Sequence, residues 1–253
     1  MADDTILETR QLTMEFKGFV AVKDVSLRVR RGTIHALIGP NGAGKTTCFN
    51  LLTHFLTPTR GQIHYKGRDI TGSRPASIAR MGLVRSFQIS AVFPNLTVHE
   101  NVRIALQRRH GHSFDFWRSE SKLALHNERA LELIDAVGLT EFAHTQAIEL
   151  PYGRKRALEI ATTLALDPEM MLLDEPTAGM THEDVGRISA LIRKVAANRT
   201  VLMVEHNMSV ISNLSDTITV LARGGVLAEG PYETVSRDPA VLEAYVGAVE
   251  EVA

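Results

Sequence analysis

Residues 39–46 read Gly-Pro-Asn-Gly-Ala-Gly-Lys-Thr, directly after the apolar run Ile34–Ile38. This is the pattern GxxxxGK followed by Ser or Thr. It constrains the fold because it works only where a strand enters the loop and a helix leaves it. Both flanks comply: Ile34–Ile38 reads as a short buried strand, and Lys45 to about His54 as a helix, with Pro58 closing the region. The glycines let backbone N–H groups turn inward around a polyphosphate. Lys45 can reach terminal phosphates, and the Thr46 hydroxyl suits magnesium. The helix start adds the positive end of its dipole. The expected phosphate-binding set is Gly39, Pro40, Asn41, Gly42, Ala43, Gly44, Lys45, Thr46 and Thr47. It implies nucleotide binding but leaves the reaction open.

A second apolar run, Met170–Leu173, ends in Asp174-Glu175-Pro176. In an open parallel sheet the ligand sits beyond the carboxyl ends of the strands. Asp174 is then placed to hold magnesium, and Glu175 to act on an attacking water as general base or orienting group.

The rest of the pattern supports such a sheet. Thr5–Phe16 and Ala21–Arg30 carry period-two stretches, and Gln62–Lys66 is a strand candidate between glycines. Val201–Val204 is a buried-type strand, and Ile218–Leu221 and Val226–Ala228 flank the hairpin signal Gly224-Gly225. Helical patterns run from Thr97 to about Val137, with a break expected at Gly111–Asp115. Others cover 185–195, Asn207–Leu214 and Pro239–Val246. Strands alternating with helices imply a mainly parallel sheet covered on both faces. Residues 90–160 read as a helical sub-domain inserted in a single domain spanning 1–253.

Composition bounds the alternatives. The 253 residues are 44% hydrophobic and 23% charged, which excludes a disordered tail, a collagen-like fibre and a disulfide scaffold. The single Cys48 forms no internal disulfide and suits a reducing compartment. The acidic start leads into no apolar stretch, so no secretory leader is expected. No run approaches the ~20 apolar residues of a membrane span. The net charge of −1 hides +9 in residues 1–126 and −10 in residues 127–253. This split is compatible with halves that cancel across one fold, and no nucleic-acid partner is read from it.

Taken together, the motifs resemble the ATP-binding subunits of ABC transporters over essentially the whole chain. In family order they are the phosphate loop Gly39–Thr46, a Q-loop glutamine Gln88, a signature segment Leu150–Arg156, the acids Asp174-Glu175, a D-loop Ala178–Thr181 and a switch histidine His206. The resemblance implies an α/β, P-loop NTPase (RecA-like) core with an antiparallel β sub-domain and a helical sub-domain. It makes Glu175, His206, Gln88 and Lys45 the catalytic set, and Thr46, Gln88 and Asp174 the magnesium set. Phe16 fits the adenine-stacking aromatic, with Phe19 as competitor and a core role as the plain alternative. Gly153 would face the ATP of a partner subunit. ATP and Mg2+ are the implied ligands.

The signature departs from the family's usual LSGGQ. It reads Leu150-Pro151-Tyr152-Gly153-Arg154-Lys155-Arg156, without the usual serine and with one glycine replaced. Pro151 suits the first turn of a helix. Three cations then crowd a helix N-terminus, where positive charge is unfavourable. Either a partner's ATP offsets them, or they pair with ordinary acids such as Glu159. The D-loop carries Thr181 where the family commonly has Asp. The signature variant, the Arg85-Ser86-Phe87-Gln88 loop and the ending Asp238–Gly247 look like the branched-chain amino acid importers.

That branch implies an ATPase driving uptake of branched-chain or related amino acids or amides. Its partners would be a second ATP-binding subunit, two transmembrane permeases and, indirectly, a periplasmic binding protein. The chain would lie on the cytoplasmic face of the inner membrane. The rivals are an export or lipid-extraction ATPase, and a soluble ABC-type ATPase acting on DNA or ribosomes. The latter usually carries coiled coils or tandem domains that 253 residues do not hold.

Overall fold

The computed structural model of the chain describes residues 4–86, 92–109 and 120–250. Gln88 and the expected break at Gly111–Asp115 lie outside the described residues.

Two sheets organise the chain. In chain order the first strands are β1 (Thr5–Phe16), β2 (Phe19–Val25), β3 (Arg28–Arg30), β4 (Ile34–Ile38), β5 (Arg60–Tyr65), β6 (Arg68–Asp69) and β7 (Leu83–Ser86). Later come β8 (Met170–Asp174), β9 (Thr200–Val204), β10 (Thr217–Ala222) and β11 (Gly225–Gly230). A six-stranded sheet runs β11-β10-β4-β9-β8-β7, parallel except for the β10–β11 hairpin. An antiparallel sheet runs β2-β1-β5-β6, with β3 also on β1.

β4, β8 and β9 are buried at every residue, which is why they read as mainly apolar runs, with His35, Asp174 and Thr200 as their buried polar members. Alternate side chains enter different cores. Met171 and Leu173 of β8 join a cluster with the helices, while Met170 and Leu172 join one with Phe49, Leu52 and the antiparallel sheet.

The period-two stretch Ala21–Arg30 is divided between two strands, β2 and β3. The long β1 pairs with β2 over Leu12–Phe16 and with β3 over Thr5–Glu8. Between them the buried Thr9 hydroxyl accepts from Leu27 N–H (2.8 Å) and donates to Val25 O (2.9 Å), replacing the ladder where the chain crosses over.

Helices lie between the strands. They are α1 (Lys45–Leu52), α2 (Pro75–Arg80), α3 (Val98–Arg109), α4 (Glu120–Ala136), α5 (Tyr152–Leu164) and α6 (His182–Ala196). α7 (Met208–Leu214), α8 (Tyr232–Val235) and α9 (Pro239–Glu250) follow. α3 opens on a reciprocal cap: Thr97 N–H donates to Glu100 Oε2 (2.8 Å) and Glu100 N–H to Thr97 Oγ1 (3.2 Å). α6 buries the stripe Ile188, Leu191, Ile192 and Val195. Thr181 caps it, accepting from Asp184 N–H, so threonine serves where an aspartate would cap equally well. Pro151 stands one place earlier than expected: it is the N-cap of α5 (φ −56°, ψ 154°), and the helix begins at Tyr152. Among the described residues, no helix is long and apolar enough to cross a membrane.

Candidate functional site

The parallel order β4-β9-β8 brings three loops to one edge of the sheet. The loop after β4 carries residues 39–46, that after β8 carries Glu175, and that after β9 carries His206. The strands are in register, with Asp174 opposite Val204 and Val204 opposite Leu37, so the loops leave at one level.

The phosphate loop is shaped by what it packs against. Gly39 has φ 149° and Gly44 φ 97°. A Cβ on Gly39 would stand 2.1 Å from Leu221 O, and one on Gly44 would stand 2.5 Å from Ala21 O. Glycine is therefore required at both places by the close approach of β10 and β2. The β10–β11 turn also clamps the loop, since Gly224 N–H donates to Ala43 O (3.2 Å). Lys45 leads α1, and its Nζ donates to Gly39 O (2.6 Å) and Pro40 O (2.8 Å), so the ammonium lies at the mouth of the loop. Burial lowers its pKa, and the Glu175 carboxylate opposes that shift. Asn41, Gly42 and Thr46 are exposed, Pro40 and Thr47 partly so, while Gly39 and Ala43 are buried.

Asp174 is 3% exposed and Glu175 points into the site beside it. Glu175 has φ 45°, a left-handed backbone uncommon for this residue type. Its N–H is held by Val204 O (2.9 Å), which ties the turn to β9. The Glu175 side chain meets His206: Nε2 to Oε1 is 3.1 Å. Two residues 31 apart in sequence are thus joined at the edge where Lys45 emerges.

Phe16 and Phe19 face each other as Cα partners at the end of the β1–β2 hairpin. They are 41% and 67% exposed, so neither is a core residue. Gly153 lies in the first turn of α5 and packs closely on α6, where an added Cβ would meet Asp184 Oδ1 at 2.5 Å. Two signature cations have partners within the chain. Arg156 pairs with Glu159 (2.7 Å, both nearly buried), and Arg154 donates to Gly138 O (2.9 Å) over the Phe142 ring. The first is the acid expected from the sequence.

Three contributors were not legible as site residues. Arg85, at the end of β7, holds Asp174, and Glu205 holds the loops around Glu175 and His206. Tyr245 of α9 reaches the phosphate loop: burial raises the pKa of its phenol, and the Gly39 backbone opposes that shift. Arg85 and Asp174 are 89 residues apart and Glu205 and Thr177 are 28 apart, beyond any local pattern.

Asp174 and Thr46 offer a carboxylate and a hydroxyl, hard oxygen donors that fit magnesium. Magnesium usually takes only one or two protein oxygens plus substrate phosphates.

A family model described as ABC transporter matches residues 22–178, and one described as branched-chain amino acid ATP-binding cassette transporter matches 226–251. The chain is 41% identical over 252 residues to the high-affinity branched-chain amino acid transport ATP-binding protein BraF of Pseudomonas aeruginosa, covering 96% of this chain and 98% of that one. It is 38% identical to LivG of Escherichia coli K12, a protein of the same description, with the same coverage. Among solved structures, the ADP conformation of the ABC transporter ATP-binding cassette MJ1267 superposes with a TM-score of 0.83 at 28% identity. The superposition covers 96% of this chain and 99% of that one.

Proposed function

Because this chain belongs to the ABC transporter family of ATP-binding proteins, we propose that it hydrolyses ATP to drive uptake of branched-chain amino acids or related amino acids and amides. ATP binding and hydrolysis belong to the family. The substrate class is read from BraF and LivG and from the 226–251 match. An export or lipid-extraction role is not favoured by that similarity.

In this reading Lys45 and the loop N–H groups neutralise the β- and γ-phosphates. Thr46, Asp174 and Gln88 would hold Mg2+, which supplies further neutralisation of the phosphate oxygens. Glu175 orients and deprotonates the attacking water, and His206 steadies Glu175 and faces the γ-phosphate. Phe16 or Phe19 stacks on adenine. Catalysis is then positioning plus electrostatics. Two such subunits would sandwich two nucleotides, each between one subunit's Lys45 loop and the other's Gly153. Two permeases would take up the motion of closure, and the chain would sit peripherally on the cytoplasmic face of the inner membrane. A periplasmic binding protein would deliver substrate, and no nucleic acid takes part.

The observation that carries the reading is the Glu175–His206 contact of 3.1 Å beside the Lys45 loop. Its test is Glu175→Gln. Turnover is expected to fall at least about a hundredfold while ATP binding survives. Wild-type hydrolysis in the variant overturns Glu175 as the base. For the transport reading, the ATPase of the complex reconstituted with co-purifying permeases and binding protein should rise with branched-chain amino acids. A flat response across amino acids, amides and urea overturns it.

A further inference from the structure

Glu205 precedes His206 at the end of β9 and is 3% exposed. A carboxylate that deep is expensive unless each oxygen is satisfied. Both are, from two different loops. Oε1 accepts from Thr177 N–H (2.9 Å) and Thr177 Oγ1 (2.5 Å). Oε2 accepts from His206 N–H (2.9 Å) and Asn207 N–H (3.2 Å). Thr177 lies two residues after Glu175, on the loop leaving β8. His206 and Asn207 begin the loop leaving β9, where the Asn207 side chain also caps α7.

We propose that Glu205 is a positioning residue for the ATPase reaction: its carboxylate clamps the two loops whose side chains, Glu175 and His206, must meet. The proposal rests on the ATPase reading above. Backbone hydrogen bonds hold β8 against β9 only up to Asp174–Val204 and Glu175–Val204. Beyond that level the Glu205 carboxylate bridges Thr177 to His206 and Asn207. Without it, the 3.1 Å contact between Glu175 Oε1 and His206 Nε2 depends on two loops free to separate. A displacement of about 1 Å at a reacting group is enough to slow chemistry up to a hundredfold. The clamp also links the Glu175–His206 pair to the segment that starts at Thr177 and runs through Gly179 into α6.

Glutamine is the informative substitute. It keeps the shape, but its amide nitrogen cannot accept, so whichever way it turns it faces at least one N–H donor, that of Thr177 or those of His206 and Asn207. The Lys45 loop stands on β4 and α1 and shares no hydrogen bond with Glu205. Nucleotide affinity should therefore be spared while turnover is not.

The test uses the purified full chain with Mg2+ and ATP, and a fluorescent ATP analogue as the binding probe. For Glu205→Gln, kcat is expected to fall about tenfold or more, with KM and analogue affinity changed by less than about twofold. In the His206→Ala background, Glu205→Gln should slow the residual rate little further, because a clamp whose purpose is to seat His206 has nothing left to seat. Thr177→Val removes one of the four bonds and should lower kcat by roughly twofold to fourfold with KM unchanged, which carries the test should Glu205→Gln not fold. An unchanged kcat in the variant that folds overturns the clamp, as does a KM or affinity that worsens in step with kcat. Full multiplicativity of Glu205→Gln with His206→Ala overturns it too. An inert wild-type chain overturns the ATPase reading and the clamp with it, whereas an active wild type beside an equally active Glu205→Gln overturns the clamp alone.

Discussion

Nη2 of Arg85 lies 2.5 Å from Oδ2 of Asp174, and the two side chains are 10% and 2% exposed. The same guanidinium donates through Nη1 to Asn50 Oδ1 (2.6 Å) and lies over the Phe49 ring at 5.8 Å. Arg85 thus joins the edge strand β7, the helix behind the phosphate loop and the acid of β8. Removing one member of a buried pair leaves the other uncompensated and costs about 3–5 kcal/mol. Arg85→Met should therefore lower the thermal midpoint of the nucleotide-free protein by roughly 6–15 °C. Asp174→Asn in the same chain should recover much of that loss, since the orphaned charge goes with it. A fall under about 2 °C for Arg85→Met would show that the pair contributes little to the fold.

Gly153 carries two explanations, and they can be separated. The resemblance assigns it to a partner's nucleotide, while the packing sets it against Asp184, whose carboxylate a Cβ would meet at 2.5 Å. Asp184 cannot simply swing away. Oδ2 accepts from Thr181 Oγ1 (3.0 Å) and Oδ1 from Arg187 (2.8 Å), and its N–H serves the cap of α6. Gly153→Ala should cost about 1–3 kcal/mol in a denaturant melt, and adding Asp184→Ala should restore most of it. A Gly153→Ala protein as stable as wild type would remove the packing explanation. Activity lost in the double variant, once stability is restored, is the share to credit to the partner's nucleotide.

Much of this was legible in the sequence for a physical reason. β4 and β8 are covered on both faces, so they read as short apolar runs between glycines, prolines and acids, and the chemistry hangs on their ends. β7 and α2 were not legible. Leu83–Ser86 is a four-residue edge strand with only two buried side chains, and Pro75–Arg80 buries only Ile78, so neither shows a period. The partners of Asp174 and Glu205 were hidden for another reason. Arg85 is 89 residues from Asp174, and the spacing of an ion pair across a sheet leaves no trace in the intervening chain. The split of Ala21–Arg30 depended on a single buried hydroxyl, Thr9, on another strand.

Cys48, in α1, is fully buried beside the phosphate loop, and burial pushes its thiol up to about 12. Thiolate is the reactive form, so the native protein should be inert to an aromatic disulfide reagent at pH 8. The expected labelling is below about 5% in an hour when native and complete in denaturant. Rapid labelling of the folded chain would mean that α1 opens locally far more often than its packing implies.

His35 ties stability to pH. It sits on β4 at 1% exposure, and burial, reinforced by Arg30, lowers its pKa from 6.5 to about 4. Its Nε2 is 2.7 Å from Thr219 Oγ1, whose hydroxyl donates to Glu229 Oε2 (2.6 Å). Since the hydroxyl's one hydrogen goes to Glu229, Nε2 must carry a proton and donate, so the ring is the neutral Nε2–H tautomer. Above pH 6.5 both folded and unfolded chains hold this histidine neutral, and it adds no pH dependence. As pH falls from 6.5 towards 4, the unfolded chain takes up the proton and the folded one does not, so stability is lost across that window. The full loss is about 3 kcal/mol. His35→Gln keeps a donor towards Thr219 without a titrating group. Between pH 7 and 4.5, denaturant melts of His35→Gln should lose about 2 kcal/mol less stability than wild type, other groups cancelling in the comparison. Parallel losses in the two proteins would mean that His35 takes up its proton in the folded state at the ordinary pH.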